Sequence, residues 1–262
     1  MASDNGSADL MDRKQNRSVL MLHGLGVYGE SWRHQIQALS QNGYFALAPD
    51  LPGFGSTKSD LKPWSVQGAV LSALHELDRF GIKKTVVCGL SMGGAVALQM
   101  AIDYPDRVLG LILINTFSAL RPANLSETLY FVRRGVRAYL RSPADQAELV
   151  ANRVFPHPEH AAWRIRLVES IRASDPLIYR QAMIALARFN VNKQLSKINI
   201  PTLVITGSND STIPPQVQGR LAKRIANSKQ YLIDGAGHGV IVDHYAEVNS
   251  LMLEFLKQIY PS

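Results

Sequence analysis

Three residue types that together can break an acyl bond occur along this chain in the order Ser91, Asp210, His238. Attack on an ester or amide carbonyl needs a hydroxyl nucleophile and a base to take its proton. It also needs a carboxylate to hold that base in one tautomer, and N–H donors for the oxyanion that develops. Ser91 lies within Gly89-Leu90-Ser91-Met92-Gly93-Gly94, entered from the β-branched run Thr85-Val86-Val87 and left through Ala95-Val96-Ala97-Leu98-Gln99-Met100-Ala101. That is the sequence of a strand, a tight turn and a helix. Glycines two residues before and two after the serine let the backbone pass closely and leave Oγ exposed at the apex. A serine between glycines is also ordinary turn chemistry, but a helix N-terminus directly behind it would favour an oxyanion, which points to a nucleophile.

His238 is flanked by Gly237 and Gly239 rather than by apolar residues, which suits a general base better than a packed core histidine. The carboxylate has three candidates. Asp234 is only four residues from His238 and Asp243 falls on the helix that follows. Asp210 closes Gly207-Ser208-Asn209-Asp210 in the loop after the penultimate strand, from which it can reach the histidine loop. The oxyanion donors are read as the backbone N–H groups of Met92, directly after the nucleophile, and of Leu25, in the turn His23-Gly24-Leu25-Gly26. Of the other histidines, His23 sits in that turn, while His34, His75, His157, His160 and His244 fall on predicted helices or their ends and read as surface residues. This chemistry calls for no cofactor and no metal.

Such a set works only if strands deliver its members to one edge, because in open α/β sheets ligand groups collect just beyond the C-terminal ends of the strands. Apolar runs do alternate with amphipathic stretches. Strands are predicted at 18–22, 44–49, 84–88, 108–115, 202–206 and 230–233. Helices are predicted over 31–41, from Val66 with Ser65 as N-cap, over 92–103, over about 215–226, and last up to about Tyr260. The fold class is therefore α/β, a mostly parallel sheet flanked by helices. Residues 1–17 read as a polar tail, 18–116 and 200–262 as the core, and 117–199 as an all-helical cap inserted between two core strands. Helix openings are expected near Ser126, Ser142-Pro143, Pro158 and Asp175-Pro176. In the first, Leu129, Val132, Val136 and Leu140 are expected to pack down, with Arg134, Arg137 and Arg141 shown to solvent. Trp32, Phe117, Phe131, Phe155, Trp163 and Met183 are the candidate pocket-lining residues, although core packing is the commoner role for any one of them.

The net charge of +7 lies wholly in that helical segment, where 13 Lys and Arg face 6 Asp and Glu over residues 117–199. A solvated basic face explains this as well as contact with anionic surfaces does. No zinc-finger spacing, RNA-binding aromatic motif or run of five basic residues points to nucleic acid. No stretch approaches the roughly 18 to 20 apolar residues of a membrane span, and the first 17 residues lack a secretory h-region. The single cysteine, Cys88, excludes an intramolecular disulfide, reads as a buried core thiol, and fits a cytoplasmic location.

Taken together, His23-Gly24, Asp50-Leu51-Pro52-Gly53-Phe54-Gly55-Ser56, Gly89 to Gly94, Gly207 to Asp210 and Gly237-His238 resemble the α/β-hydrolase superfamily, in its branch of capped esterases and lipases. The resemblance covers about residues 18–116 and 200–260. It implies that fold and a serine hydrolase, while the superfamily's many reactions leave the substrate unspecified. Two departures stand out. Family members carry two more strands before the His-Gly strand, so the sheet is expected to have its first two strands missing or replaced. Where a glutamate-proline pair often follows the histidine, this chain has Val242-Asp243-His244-Tyr245. Ser91 argues against the epoxide hydrolases and haloalkane dehalogenases of this fold, which place aspartate at the elbow. Leu90 and Gly239 depart from the carbon-carbon bond hydrolases, which favour asparagine before the serine and tryptophan after the histidine.

The expected activity is cleavage of a small-molecule carboxylic ester through an acyl-enzyme, as in a carboxylesterase or lipase. The alternatives are an enol-lactone or carbon-carbon bond hydrolase whose acidic substrate meets a cap arginine, and a cofactor-free perhydrolase. A catalytically silent ligand-binding protein of this fold fits an intact Ser, Asp and His set less well.

Overall fold

A computed structural model describes residues 16–58, 63–120, 125–140 and 143–260. In chain order its elements are β1 (Ser18–Leu22), α1 (Arg33–Gln41), β2 (Phe45–Leu47), α2 (Val66–Arg79), β3 (Thr85–Leu90), α3 (Met92–Asp103) and β4 (Val108–Ile114). Then come α4 (Leu125–Leu140), α5 (Ala147–Val154), α6 (Ala161–Ala173) and α7 (Pro176–Arg188). The chain closes with β5 (Thr202–Gly207), α8 (Pro215–Ala222), β6 (Ser228–Ile233), α9 (Val240–Asp243) and α10 (Tyr245–Ile259). The strands form one six-stranded sheet in the order β2-β1-β3-β4-β5-β6, and every pairing is parallel.

Parallel strands covered by helices on both faces read as unbroken apolar runs, because alternate side chains enter two different cores. Leu20, Leu22, Val87, Leu111 and Leu113 pack with α2 and α3 on one face. Val19, Met21, Val86, Cys88, Ile112 and Ile114 pack on the other with Trp32, Leu39, Val248 and Met252. Cys88 is fully buried, and burial pushes its thiol pKa up. Several ends differ from those predicted: β2 keeps only three residues, α8 stops at Ala222, and β6 starts two residues early at Ser228. At His244 the final helix breaks into α9 and α10. Short 3-10 turns at Gly29–Trp32, Pro143–Gln146 and Pro158–His160 lead into α1, α5 and α6. Ser65 caps α2, its side chain accepting from the Gly68 N–H at 3.0 Å.

Between β4 and β5 the described chain is helical apart from short connections, as its sequence suggests. Its first helix, however, is turned opposite to expectation. Leu129, Val132 and Val136 of α4 are 54, 53 and 48% exposed, and Leu125 is 83% exposed, whereas Arg134 points inward to Gln146 and Tyr179. Amphipathic spacing marks two stripes but not which one faces in, and here the inward stripe is held by Tyr130, Phe131 and Arg134. Arg141 and the side chain of Leu140 lie outside the described residues, as does most of the 1–17 tail. No helix among the described residues is long and apolar enough to cross a membrane.

Candidate active site

β3 carries Ser91 to the C-terminal edge of the sheet, where its backbone turns to φ 54° and ψ −113°. A side chain in that region costs on the order of 1–3 kcal/mol and persists only where the surroundings enforce it. Two glycines make the turn possible. A methyl group on Gly93 would lie 1.9 Å from the Leu22 carbonyl oxygen, and one on Gly89 would lie 2.3 Å from that of Gly93. The end of β4 then clamps the peptide groups of the serine itself: its N–H donates to the Ile114 carbonyl at 3.0 Å, and Thr116 Oγ1 donates to its carbonyl at 2.7 Å. Although Ser91 occupies the N-cap position of α3, its side chain caps nothing, unlike Ser65 on α2. The hydroxyl is left free for other work.

β5 and β6 supply the second and third members. Asp210 Oδ1 accepts from the N–H groups of Thr212 and Ile213 at 2.8 and 2.9 Å, and Oδ2 stands 2.8 Å from His238 Nδ1. The carboxylate is sealed from solvent while the imidazole keeps a small exposed face. With the carboxylate as acceptor, Nδ1 carries the hydrogen, and in the neutral ring it is then Nε2 that keeps the lone pair a base requires. Asp234, the rejected candidate, pairs instead with Ser208 at 3.2 Å, and Asp243 pairs with His244 at 2.9 Å.

The turn His23-Gly24-Leu25-Gly26 is shaped from behind by His23, which is fully buried. Leu51 N–H donates to His23 Nε2 at 2.8 Å, so Nδ1 carries the hydrogen and donates to the Gly24 carbonyl at 2.8 Å. Burial lowers the His23 pKa to about 4. Asp50 adds a second clamp by accepting from Gly29 N–H on one oxygen and from Ser56 N–H and Oγ on the other, at 2.8 to 2.9 Å. These hydrogen bonds hold the Asp50 pKa down against the upward push of burial. The loop so fixed reaches the elbow, since a methyl group on Gly24 would touch Ser91 Cβ at 3.7 Å. Met92 is buried and opens α3, where the first acceptor is the Ser91 carbonyl, taken by the N–H groups of Gly94 and Ala95 at 3.0 and 3.2 Å, so the N–H of Met92 has no acceptor within the helix.

A cavity of about 240 Å³ joins these parts. Ser91, His238, Gly24 and Leu25 line it from the sheet side, and Phe131, Arg134, Phe155 and Trp163 from the helical segment. Of the six predicted lining residues Phe117, Phe131, Phe155 and Trp163 do line it, while Trp32 lies fully buried in the core and Met183 packs at its margin. Phe155 seats on the glycine after His238, where a methyl group on Gly239 would meet its ring at 2.2 Å. Arg134 donates to Gln146 Oε1 at 3.1 Å and to the Tyr179 hydroxyl at 3.2 Å. Burial would lower its pKa, but the oxygens of Tyr179 and Tyr130 outweigh that and keep it above the ordinary arginine value. Among the described residues no group of three or more His, Cys, Asp or Glu is placed to hold a metal ion.

Two residues of the site carry no motif and escape a sequence reading. Asn115, fully buried at φ 44°, donates to the Gly237 and His238 carbonyls at 2.9 and 3.2 Å and accepts from Gly207 N–H at 2.9 Å. Gln218 of α8, also fully buried, bonds Thr206, the Ile213 carbonyl and, at 3.4 Å, Asp210 Oδ2. The one available signal for Asn115 is its position at the end of β4, since Asn tolerates the left-handed region and ligand-side groups gather there.

The family model described as the alpha/beta hydrolase fold matches residues 17–245. Among curated proteins, the monoacylglycerol lipase ABHD6 of Bos taurus is 26% identical, over 93% of this chain and 76% of its own length. The 2-hydroxy-6-oxononadienedioate/2-hydroxy-6-oxononatrienedioate hydrolase of a Pseudomonas species is 26% identical, over 96% and 92%. Among solved structures, an enol-lactonase from Burkholderia xenovorans LB400 superposes with a TM-score of 0.84 at 23% identity, covering 93% of this chain and 92% of the other. A malate-bound thermophilic esterase from Thermogutta terrifontis gives 0.80 at 26% identity, covering 94% and 91%. The sheet, the elbow and the matched length agree, and the chain is a hydrolase-fold protein belonging to the α/β-hydrolase family.

Proposed function

We propose that this protein is a serine hydrolase that cleaves carboxylic esters of small or medium acyl chains, with Ser91 as nucleophile, His238 as base, Asp210 as its orienting acid, and the N–H groups of Leu25 and Met92 as oxyanion donors. The observation that carries this reading is the 2.8 Å pair of His238 and Asp210 on a cavity that Ser91 also lines with its hydroxyl uncommitted. His238 Nε2 takes the Ser91 proton as Oγ adds to the ester carbonyl, and the two N–H groups hold the oxyanion. The protonated imidazole then gives its proton to the departing alcohol. Water, deprotonated by the same nitrogen, attacks the acyl-serine and frees the acid. A cavity of about 240 Å³ suits a modest acyl chain, being smaller than the roughly 300–1,000 Å³ of sites for drug-sized ligands.

In this reading residues 117–199 act as a cap over a core formed by 18–116 and 200–262, and one buried cysteine fits the reducing conditions of a cytoplasm. The fold neighbours include an esterase and an enol-lactonase, and one relative is named for a dioate substrate. An acidic lactone or carbon-carbon substrate is therefore the second reading, favoured by Arg134 in the cavity wall. The test is turnover of p-nitrophenyl butyrate and labelling by a fluorophosphonate. Ser91→Ala should abolish labelling and lower kcat by on the order of 10⁶, and Asp210→Asn by on the order of 10⁴. Turnover of the ester by Ser91→Ala at the wild-type rate would overturn the assignment.

A further inference from the structure

Arg134 is hard to account for as packing alone. Its guanidinium carries five N–H donors and a full charge, yet among the described residues those donors meet only neutral oxygens, of Gln146 and Tyr179 and, beside them, of Tyr130. No carboxylate among the described residues lies within ion-pair distance of it. Other arginines of the segment are engaged differently: Arg172 pairs with Glu148, Arg164 donates to the carbonyls of Phe155 and His157, and Arg153 lies over the Tyr130 ring. The Tyr130 hydroxyl, buried beside Arg134, is a neutral oxygen as well and brings no negative charge. Tying α4 to neutral oxygens of its neighbours would need donors and no charge. A cation set in an apolar wall without a counter-ion is costly unless something else brings the negative charge.

We propose that Arg134 is the anchor for a carboxylate borne by the substrate itself, so that the protein acts on esters or lactones of acids that carry a second, free carboxylate. This rests on the reading of Ser91 as nucleophile. The planar fork of a guanidinium matches a carboxylate through two parallel hydrogen bonds, and it has donors to spare. Ser91 and Arg134 line one cavity from opposite layers, one on the sheet and one on α4, so a molecule held by both spans it. The remaining charged groups of the wall, Glu30, Arg33 and Arg166, are exposed to solvent and therefore screened.

Two matched ester pairs test this. In one the carboxylate is on the acyl chain, mono-p-nitrophenyl adipate against p-nitrophenyl hexanoate. In the other it is on the alcohol, the butyrate of hydroxyhexanoate against that of hexanol, followed by pH-stat. The readout is the ratio of kcat/KM, charged over neutral. At least one pair should favour the charged ester in the wild type, and Arg134→Gln should lower that ratio by about 10- to 100-fold, mainly through KM. Arg134→Lys should recover part of it. A substitution that merely loosens α4 slows both members of a pair alike and leaves the ratio intact, which would overturn the proposal, as would a wild type that prefers the neutral ester in both pairs. Should the variants fold poorly, adipate as a competitive inhibitor of the neutral ester, with adipamide inert, supports it on the wild type, and equal inhibition by the two overturns it. If no ester is turned over and Ser91 resists fluorophosphonate, the underlying reading of the nucleophile is what has failed.

Discussion

The two layers that enclose the cavity are specified by different means. On the sheet side nearly every placement is a matter of backbone: a positive φ at Ser91, a glycine pressed on a carbonyl, peptide groups of Ser91, Gly207 and Leu51 held by named partners. On the helical side placement depends on which stripe of a helix is turned inward and on where single long side chains end, as with Arg134 and Phe155. Under the proposed assignment, the first layer would set how a bond is broken and the second would select the molecule that is presented to it.

Substitutions can sharpen or break that contrast. The largest effect is expected on the sheet side, from Asn115→Ala. It strands the buried Gly207 N–H and His238 carbonyl along with the half-buried Gly237 carbonyl, and the two buried groups at about 1–3 kcal/mol each should cost on the order of 2–6 kcal/mol. Urea unfolding should show that loss together with a fall in kcat. Near wild-type stability would mean the sheet side is less dependent on this residue than its contacts suggest. His23 comes next and is read through pH. Its folded pKa of about 4 lies below the ordinary 6.5, so the unfolded chain binds the proton first. The contribution is complete above pH 6.5 and is lost as pH falls toward 4, about 3 kcal/mol in all. Thermal melts of the wild type should therefore steepen downward over that window, and those of His23→Gln should be flatter. Parallel profiles would contradict it. The smallest effect belongs to the helical side: Leu129→Ser, on a face that is 54% exposed, should move stability by less than about 0.5 kcal/mol. A loss several times larger would show that this face is covered in solution and that the contrast is drawn too sharply.

The same contrast explains what could be read from residues in a row. Strand, turn and helix around Ser91, and the glycine-flanked His238, are local features whose meaning does not depend on distant packing. The sequence order of Asp210 and His238 after successive strands then suffices to predict that they meet, as they do at 2.8 Å. The orientation of α4 could not be read, because Leu129, Val132 and Val136 form an apolar stripe whichever way the helix is rolled. Nor could the burial of His23, which depends on a loop 28 residues further on donating Leu51 N–H to its ring. Asn115 escaped because an asparagine at a strand end looks like any turn residue until its four partners are placed around it.

One feature of β4 bears on how accurately such a site can be built. Ile114 and Thr116 grip the peptide groups of Ser91, while Asn115, lying between them, grips the carbonyl of His238 and the end of the strand that precedes Asp210. Were each member referred only to its own strand, small errors of register would accumulate across the sheet. Referred instead to three successive residues, the spacing of Ser91 and His238 inherits the tolerance of one short stretch of backbone, as parts machined from one datum do, whatever length of chain departs a few residues later to cover them.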